Sequence, residues 1–200
     1  MISFFVLVIV YFAFSWGLPW HKIPSTISFS YLFDLFFALT VSFFFRLPWK
    51  FKWHINKNTL KAIAETLLLA IGVIAAVWYM EIEIPFRLVN NLEWHLLFFA
   101  PILEELVFRQ TFQRVLINGM GGKRVTSMLV AAIFAFSHLI GLSVLPVEYV
   151  PFIGFQVFYT FILGVICGQA LLKFHSVFAP VILHFLFNLM FYIALHFEII

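Results

Sequence analysis

Charged residues are scarce in this sequence. Asp, Glu, Lys and Arg make up 10% of its 200 residues, whereas soluble domains carry about 25%. Hydrophobic side chains account for 64% and aromatic ones for 20%, and the mean hydropathy is +1.07. This composition excludes a soluble globular domain and predicts an integral membrane protein that lies in a lipid bilayer.

The scarce charges also argue against nucleic-acid binding. The net charge of +3 comes mostly from a few loops, where lysine and arginine report membrane orientation and contact with anionic headgroups.

Cysteine is nearly absent as well: Cys167 is alone, so no intrachain disulfide can form. With no internal repeat or low-complexity linker, we expect one membrane domain, made of N-terminal transmembrane helices over 1–91 and a core over 92–200.

Long apolar runs recur along the whole chain and predict an all-α, polytopic transmembrane helix bundle of about seven spans. The first run resembles the apolar part of a signal peptide, but no basic residue precedes it and no small-residue cleavage site follows, so we interpret it as a retained span. The predicted spans are Ile2–Trp16, Phe29–Phe45, Leu60–Tyr79, Leu92–Ile117, Val125–Leu145, Val150–Leu172 and Val177–Leu195.

Lysine and arginine concentrate in every second loop, which predicts a cytoplasmic N-terminus and an external C-terminus. The opposite loops carry only two cations, Lys22 and Arg87. Small size, short loops and no visible targeting extension suggest a bacterial plasma membrane. The cations assigned to the cytoplasmic side are Arg46, Lys50, Lys52, Lys57, Lys61, Arg114, Lys123, Arg124 and Lys173.

Two adjacent carboxylates interrupt the fourth predicted span. An acidic side chain near the centre of a bilayer costs about 2.5 to 3.5 kcal/mol on insertion scales, so such residues need a partner or a function. Glu105 and Arg109 are four residues apart on one helix face, and we interpret them as a structural ion pair. Glu104 lies about 100° further round the helix and has no partner on that helix.

Two further pairs share the four-residue spacing. Phe134 and His138 lie in the fifth predicted span, and His184 and Asn188 lie in the seventh. At about 1.5 Å per residue, Glu104 and these polar side chains reach depths of roughly 12 to 20 Å from the cytoplasmic ends of their helices. Three helices thus deliver costly polar groups to a similar depth, which predicts one buried polar site.

Prolines accompany two of these positions. Pro101 has no N–H and would free the carbonyl of Leu97, which predicts a kinked or restarted helix, and Pro180 predicts the same one turn before His184. Broken backbone at membrane depth is tolerated where it lines a water-filled cavity. Both prolines therefore indicate that water reaches the site.

The residue types suit hydrolysis of a peptide bond. Glu104 and His138 could together withdraw a proton from a water that attacks a carbonyl. An N–H of His184 and the amide of Asn188 could stabilise the oxyanion that results. The competing interpretation is a Zn²⁺ site formed by Glu104, His138 and His184, but the sequence has no His-Glu-x-x-His motif, so we rank the metal-free mechanism first.

Plainer interpretations apply to several polar residues. His138 taken alone is more typical of a helix-packing hydrogen bond than of a catalyst, and we interpret Asp34 and Glu65 as packing or interfacial groups. The remaining histidines lie in loops or near interfaces and receive no role. They are His21, His54, His95, His175 and His196.

The three ordered motifs, Glu104-Glu105-x-x-x-Arg109, Phe134-x-x-x-His138 and His184-x-x-x-Asn188, resemble those of the CPBP family of intramembrane proteases. That family includes CAAX prenyl endopeptidases and the Abi-like proteins of bacteriocin processing and immunity. The resemblance covers roughly Leu92–Leu195 and implies a catalytic core over 92–200. It implies that Glu104 and His138 activate water, that His184 and Asn188 form the oxyanion hole, and that Glu105 and Arg109 support the site.

Together these observations favour an intramembrane endopeptidase acting on a membrane-associated peptide or protein. By resemblance, its substrate would be a peptide pheromone, a bacteriocin leader or a similar peptide, and a prenylated protein is less expected in a bacterium. Two alternatives stay open. One is a non-enzymatic immunity or scaffold protein of the same fold, and the other, weakened by the missing inverted repeat, is a proton-coupled transporter.

Overall fold

The computed structural model describes residues 2–18, 29–51, 55–88, 91–120 and 123–200. Throughout these ranges the regular structure is helical, with no strand. The predicted all-α class is therefore confirmed. The loop residues 21, 22, 52 and 54, named above for their charge or imidazole, lie outside the described ranges.

The helices follow one another with short connections. Residues 92–120 form one continuous helical run, which we call the central helix; it contains three short α-helices and two π-helical segments. The α-helices are α1 Ile2–Gly17, α2 Phe29–Phe44, α3 Lys57–Tyr79, α4 Leu92–Trp94, α5 Ala100–Glu105, α6 Arg114–Met120, α7 Lys123–Ser137, α8 Gly141–Val144, α9 Val150–Phe174 and α10 Phe178–His196. The π segments are His95–Phe99 and Leu106–Gln113, and 3-10 turns cover Pro85–Leu88, His138–Ile140 and Val147–Tyr149.

Four helices are long and apolar enough to cross a membrane. They are Lys57–Tyr79, Lys123–Val144, Val147–Phe174 and Phe178–His196, and they agree with four of the predicted spans to within three residues. Lipid-facing aromatic rings are typical of such a bundle, and Phe36, Phe43 and Phe44 are indeed largely exposed. The described part of the chain therefore contains four helices that could span a membrane.

The other three predicted spans take different forms. Helices α1 and α2 have 16 residues each, which gives about 24 Å of length and is shorter than the roughly 30 Å of a hydrocarbon core. The central helix is long, but its α-helical ladder is interrupted twice. The predicted number of seven spans is thus not established by helix length and composition.

The central helix lies in the middle of the bundle. All eight side chains of its second π segment, Leu106–Gln113, are buried, where α1, α2 and α7 surround them. A second apolar core joins α3, α9 and α10. A side chain on the central helix can therefore reach α10 on one side and α7 on another.

Hydrogen bonds join two loops and the central helix at one end of the bundle. The N–H of Val177 donates to the carbonyl of Lys50 at 3.1 Å, and Nε2 of Gln110 donates to the carbonyl of Pro48 at 3.2 Å. Arg114 reaches the carbonyl of His175 at 3.5 Å. The loop after α2 and the loop before α10, two of those that the charge pattern assigns to the cytoplasm, thus lie together against the central helix.

Candidate active site

One cavity collects the four side chains predicted to do chemistry. It has a volume of about 290 Å³ and is lined by Glu104, His138, His184 and Asn188 among other residues. The central helix supplies the glutamate, the 3-10 turn that follows α7 supplies the first histidine, and α10 supplies the last two side chains. The convergence predicted from depth is therefore present in the structure.

Glu105 lies at the centre of a buried ionic chain. Its Oε2 is 3.0 Å from Nε of Arg109, and both side chains are fully buried, so the predicted ion pair is confirmed. Its Oε1 is 3.0 Å from Nδ1 of His184, a contact that sequence spacing did not predict. Because a carboxylate accepts, His184 donates its Nδ1–H here, and the imidazole is fixed in orientation.

Glu104 faces the other nitrogen of the same imidazole. Its Oε2 is 3.8 Å from Nε2 of His184, and its side chain is 29% exposed, compared with 0% for Glu105. The separation is longer than a direct hydrogen bond. Of the two adjacent carboxylates, Glu104 is thus the one that a water or substrate in the cavity can contact.

Phe134 holds three functional side chains around its ring. The ring lies edge to face with His138, with centroids 5.0 Å apart, and with His184, with centroids 5.9 Å apart. The guanidinium of Arg109 lies 5.0 Å from the ring centroid, within the range of a cation–π contact. A side chain without a titratable group therefore fixes the spacing among those that have one.

His138 is held by its own helix. Its Nδ1 lies 3.0 Å from the carbonyl of Phe134, and since a carbonyl only accepts, Nδ1 carries the proton. In the neutral ring Nε2 is then the nitrogen that can take up a further proton. The turn to 3-10 geometry at His138–Ile140 ends the regular part of α7 at this residue.

Asn188 ties α10 to the central helix. Its Nδ2 donates to the carbonyl of Leu96 at 2.8 Å. In the first π segment the N–H of Ala100 bonds the carbonyl of His95, five residues back, and the same register assigns the Leu96 carbonyl to residue 101. Pro101 has no N–H, so this carbonyl is left for Asn188. We expected Pro101 to free the carbonyl of Leu97, but the carbonyl bonded outside the helix is that of Leu96.

The predicted break at Pro180 is not found. Helix α10 begins at Phe178, so Pro180 lies in its first turn, where a missing N–H leaves no intrahelical bond unmade. The interruption precedes the helix instead: His175 adopts a left-handed conformation at the end of α9. Access of water near His184 therefore does not depend on a kink in α10.

The cavity wall also contains residues that sequence reasoning missed. His95, which received no role, lies there with Tyr31 of α2, and the Tyr31 hydroxyl is 2.8 Å from Nδ1 of His95. Gln156, Tyr159 and Thr160 of α9 complete its polar lining. In a regular α-helix His95, nine residues before Glu104, would lie on the opposite face, so the spacing gave no signal before the π segment was seen, and nothing local marks Tyr31.

The predicted zinc set does not assemble into a metal site. Within the described ranges, no group of three or more His, Cys, Asp or Glu side chains is arranged to hold a metal ion. Glu104 and His184 approach each other, while His138 bonds its helix backbone through Nδ1 and keeps Nε2 open to the cavity. Because the described side chains are not grouped closely enough to share an ion, we derive no step through a metal.

Asp34 and Glu65 have the plain roles predicted for them. Asp34 accepts a hydrogen bond of 2.9 Å from the hydroxyl of Tyr11, which joins α1 to α2. Glu65 lies 3.7 Å from Lys61 in an exposed pair on α3. Neither residue lines the cavity that holds Glu104.

The fold and site define an integral membrane protein of helices with a buried acid, imidazole and amide cluster that opens into one cavity. Residues 92–190 match the family model described as Type II CAAX prenyl endopeptidase Rce1-like. This segment therefore belongs to the CAAX-type protease family that the three motifs resemble, and the recognition made from sequence is confirmed. No curated protein and no solved structure matches the chain. The family suggests an intramembrane endopeptidase with a peptide substrate.

Proposed function

We propose that this protein is an intramembrane endopeptidase that hydrolyses a peptide bond with a water activated by Glu104 and His138. The observation that carries the proposal is the shared cavity: two possible bases and two possible donors, from three separate segments, line about 290 Å³. Such a volume accommodates a short stretch of extended peptide backbone together with a water. A purely structural cluster would not need an open cavity.

The proposed reaction begins with the water. Its oxygen attacks the carbonyl carbon of the scissile bond while one of its protons passes to the Glu104 carboxylate, with His138 Nε2 accepting a hydrogen bond from the other. When the tetrahedral intermediate collapses, the C–N bond breaks and the Glu104 proton passes to the leaving nitrogen. The partial exposure of Glu104 supports this role, because a base must reach its substrate.

The oxyanion needs donors, and the contacts of α10 decide which are available. Asn188 uses one N–H on Leu96 and keeps a second for substrate. The Nδ1–H of His184 is engaged by Glu105, so Nε2 donates only when the ring is protonated on both nitrogens.

The topology completes the proposal. We propose that α1, α2 and the central helix cross the bilayer with the four long helices, giving seven spans, a cytoplasmic N-terminus and an external C-terminus in a bacterial plasma membrane. The hydrogen bonds that join the loop after α2, the loop before α10 and the central helix support placing these segments on one side of the membrane, and their cations favour the cytoplasmic side. The substrate would be a membrane-associated peptide, such as a pheromone or bacteriocin leader.

The test compares isosteric variants of purified protein in detergent, using a library of quenched peptides. Glu104→Gln should lower kcat/KM by about 100-fold or more, within the range that a positioned acid–base group contributes. The matched control is Glu148→Gln, an exposed glutamate outside the cavity, which should leave the rate unchanged. Equal rates in wild type and Glu104→Gln would overturn the mechanism.

If wild type cleaves no peptide while Glu104→Gln keeps the cellular phenotype of wild type, a non-enzymatic immunity or scaffold protein replaces the protease interpretation.

Whether cleavage depends on a bound metal is tested on the same preparation. We expect elemental analysis to find less than stoichiometric zinc and a chelator to leave cleavage intact. Stoichiometric zinc together with loss of cleavage on chelation would overturn the metal-free mechanism.

A further inference from the structure

A second cavity lies between the ends of three helices, away from the proposed active site. It has a volume of about 580 Å³ and is formed by the first turns of α3 and α7 and the last part of α9. No residue lines both cavities. Gln156 of the active-site cavity and Lys173 of this one are 17 residues apart on α9, or about 26 Å.

The rim of this cavity is strongly basic. Four cations line it, Lys61, Lys123, Arg124 and Lys173, against the single carboxylate of Glu65. That carboxylate is paired with Lys61. For the other three cations, the described part of the chain offers no salt bridge. Three unneutralised positive charges therefore converge on one opening.

The inner wall of the cavity is mostly apolar, with Gln169 of α9 as a polar exception. Val165, Ile166, Leu172 and Phe174 line it along α9, and Ala62 lines it from α3. Because α3 and α7 begin here and α9 ends here, the cationic rim lies where membrane-spanning helices meet water, and the apolar wall runs from it toward the hydrocarbon. A ligand for this shape needs an anionic head and an apolar tail.

The plainer interpretation is that these cations only set the orientation of the helices in the membrane. Lys173 also lies near the C-terminal end of α9, where a cation offsets the helix dipole. Neither effect requires cations from three separate segments to border one cavity with an apolar wall. Orientation depends on the number of charges in each loop, whereas a binding site depends on their convergence.

We propose that this cavity binds an anionic phospholipid, with the phosphate among Lys123, Arg124 and Lys173 and an acyl chain along Val165 and Ile166. Basic pockets between transmembrane helices at the cytoplasmic side suit anionic headgroups. The lipid would brace α3 against α7 and α9, which meet at this end of the bundle. The site does not depend on the proposed proteolysis, because it shares no residue with the active-site cavity.

The test measures lipid binding by the full chain in a neutral detergent with native mass spectrometry. The probes are phosphatidylglycerol, phosphatidylcholine of the same acyl chains, and inorganic phosphate. We expect phosphatidylglycerol to bind and phosphatidylcholine to bind at least about tenfold more weakly. Each cation near an anionic headgroup contributes about 1 kcal/mol, so Lys123→Gln with Arg124→Gln should weaken phosphatidylglycerol binding by about 30-fold.

The matched control removes two charges from the same end of the protein outside the cavity. Lys50 and Lys57 are exposed and do not line it, so Lys50→Gln with Lys57→Gln should change phosphatidylglycerol binding by less than about twofold. Equal weakening by both double variants would overturn the site in favour of a diffuse surface charge. Competition by inorganic phosphate at millimolar concentration would overturn the lipid in favour of a free anion.

A second measurement does not depend on the variants. Phosphatidylglycerol with a photoactivatable acyl chain should crosslink wild type within residues 165–174. Crosslinks confined to other lipid-facing helices would overturn the proposal even if the variants bind as expected. Failure here would leave the active-site proposal intact, since peptide cleavage is measured without this lipid.

Discussion

Nδ1 of His184 lies 3.0 Å from Oε1 of Glu105, while the other oxygen of the same carboxylate lies 3.0 Å from Nε of Arg109. Glu105 is therefore more than the partner of Arg109. It couples the charge buried in the central helix to the orientation of an imidazole on α10. Glu104, its neighbour in sequence, faces the cavity through the opposite nitrogen of that imidazole.

Glu105→Gln should strongly destabilise the fold. Removing one partner of a buried ion pair costs about 3 to 5 kcal/mol, because the other charge is left uncompensated. The chain offers a matched control in Glu65→Gln, which breaks a second pair of the same spacing, with side chains 71% and 49% exposed. The control should cost at most about 1 kcal/mol. Reversible unfolding in mixed micelles measures both.

A second outcome separates stability from chemistry. If Glu105→Gln unfolds like wild type but no longer cleaves peptide, then Glu105 acts in the reaction itself and the structural role given to it here is wrong. If the variant is less stable and its folded fraction cleaves more slowly, both proposed roles of Glu105 are supported: the ion pair with Arg109 and the orientation of His184.

Asn188→Ala should destabilise by about 1 to 3 kcal/mol, the cost of leaving a buried acceptor unsatisfied, since the Leu96 carbonyl loses its donor. Pro101→Ala restores a backbone N–H next to that carbonyl. In the Pro101→Ala background, Asn188→Ala should therefore cost less than it does alone. A double-mutant cycle on unfolding free energies measures the difference.

Additive free energies in this cycle would contradict the link between Pro101 and Asn188 through Leu96. Activity gives an independent reading. Asn188→Ala should still lose cleavage in the Pro101→Ala background, because restoring the helix bond does not replace an oxyanion donor.

Gly168→Ala should destabilise the packing of α7 on α9. An added Cβ would collide with the hydroxyl of Ser127 and approach Oε1 of Gln113 to 3.2 Å, and overpacking of this kind typically costs about 1 to 3 kcal/mol. Gly154→Ala, on the same helix, has nothing within 4 Å of the added atom. It should be neutral or stabilise by up to about 1 kcal/mol. Thermal midpoints in one detergent compare them, and equal effects would contradict the close approach.

Tyr31→Phe should lower the free energy of unfolding by about 1 kcal/mol and leave kcat unchanged, as unfolding in mixed micelles and peptide cleavage would measure. It removes the hydroxyl bonded to His95 in the cavity wall, and one such hydrogen bond contributes about 1 kcal/mol to stability. Tyr79→Phe, at a tyrosine that is 81% exposed, should change nothing. A fall in kcat with unchanged KM would instead give Tyr31 a part in the reaction.

Sequence reasoning succeeded where spacing within one helix decides the contact. The pair formed by Glu105 and Arg109 and the contact of Phe134 with His138 both follow from residues four apart on a helix. It failed where backbone geometry departs from the regular α-helix. The π segment before Pro101 changed which carbonyl is left without a donor. At Pro180 the reasoning overlooked that a proline in the first turn of a helix breaks no backbone hydrogen bond.

The sequence by itself determined that the protein is a membrane-embedded helical bundle, because its composition permits little else, and it identified the polar residues whose presence in an apolar chain needs a reason. The tertiary structure decided which of them touch. The bond from His184 to Glu105 spans 79 residues, that from Asn188 to Leu96 spans 92, and that from Tyr31 to His95 spans 64. Such contacts depend on the rotation and approach of whole helices, which packing sets and local pattern does not record.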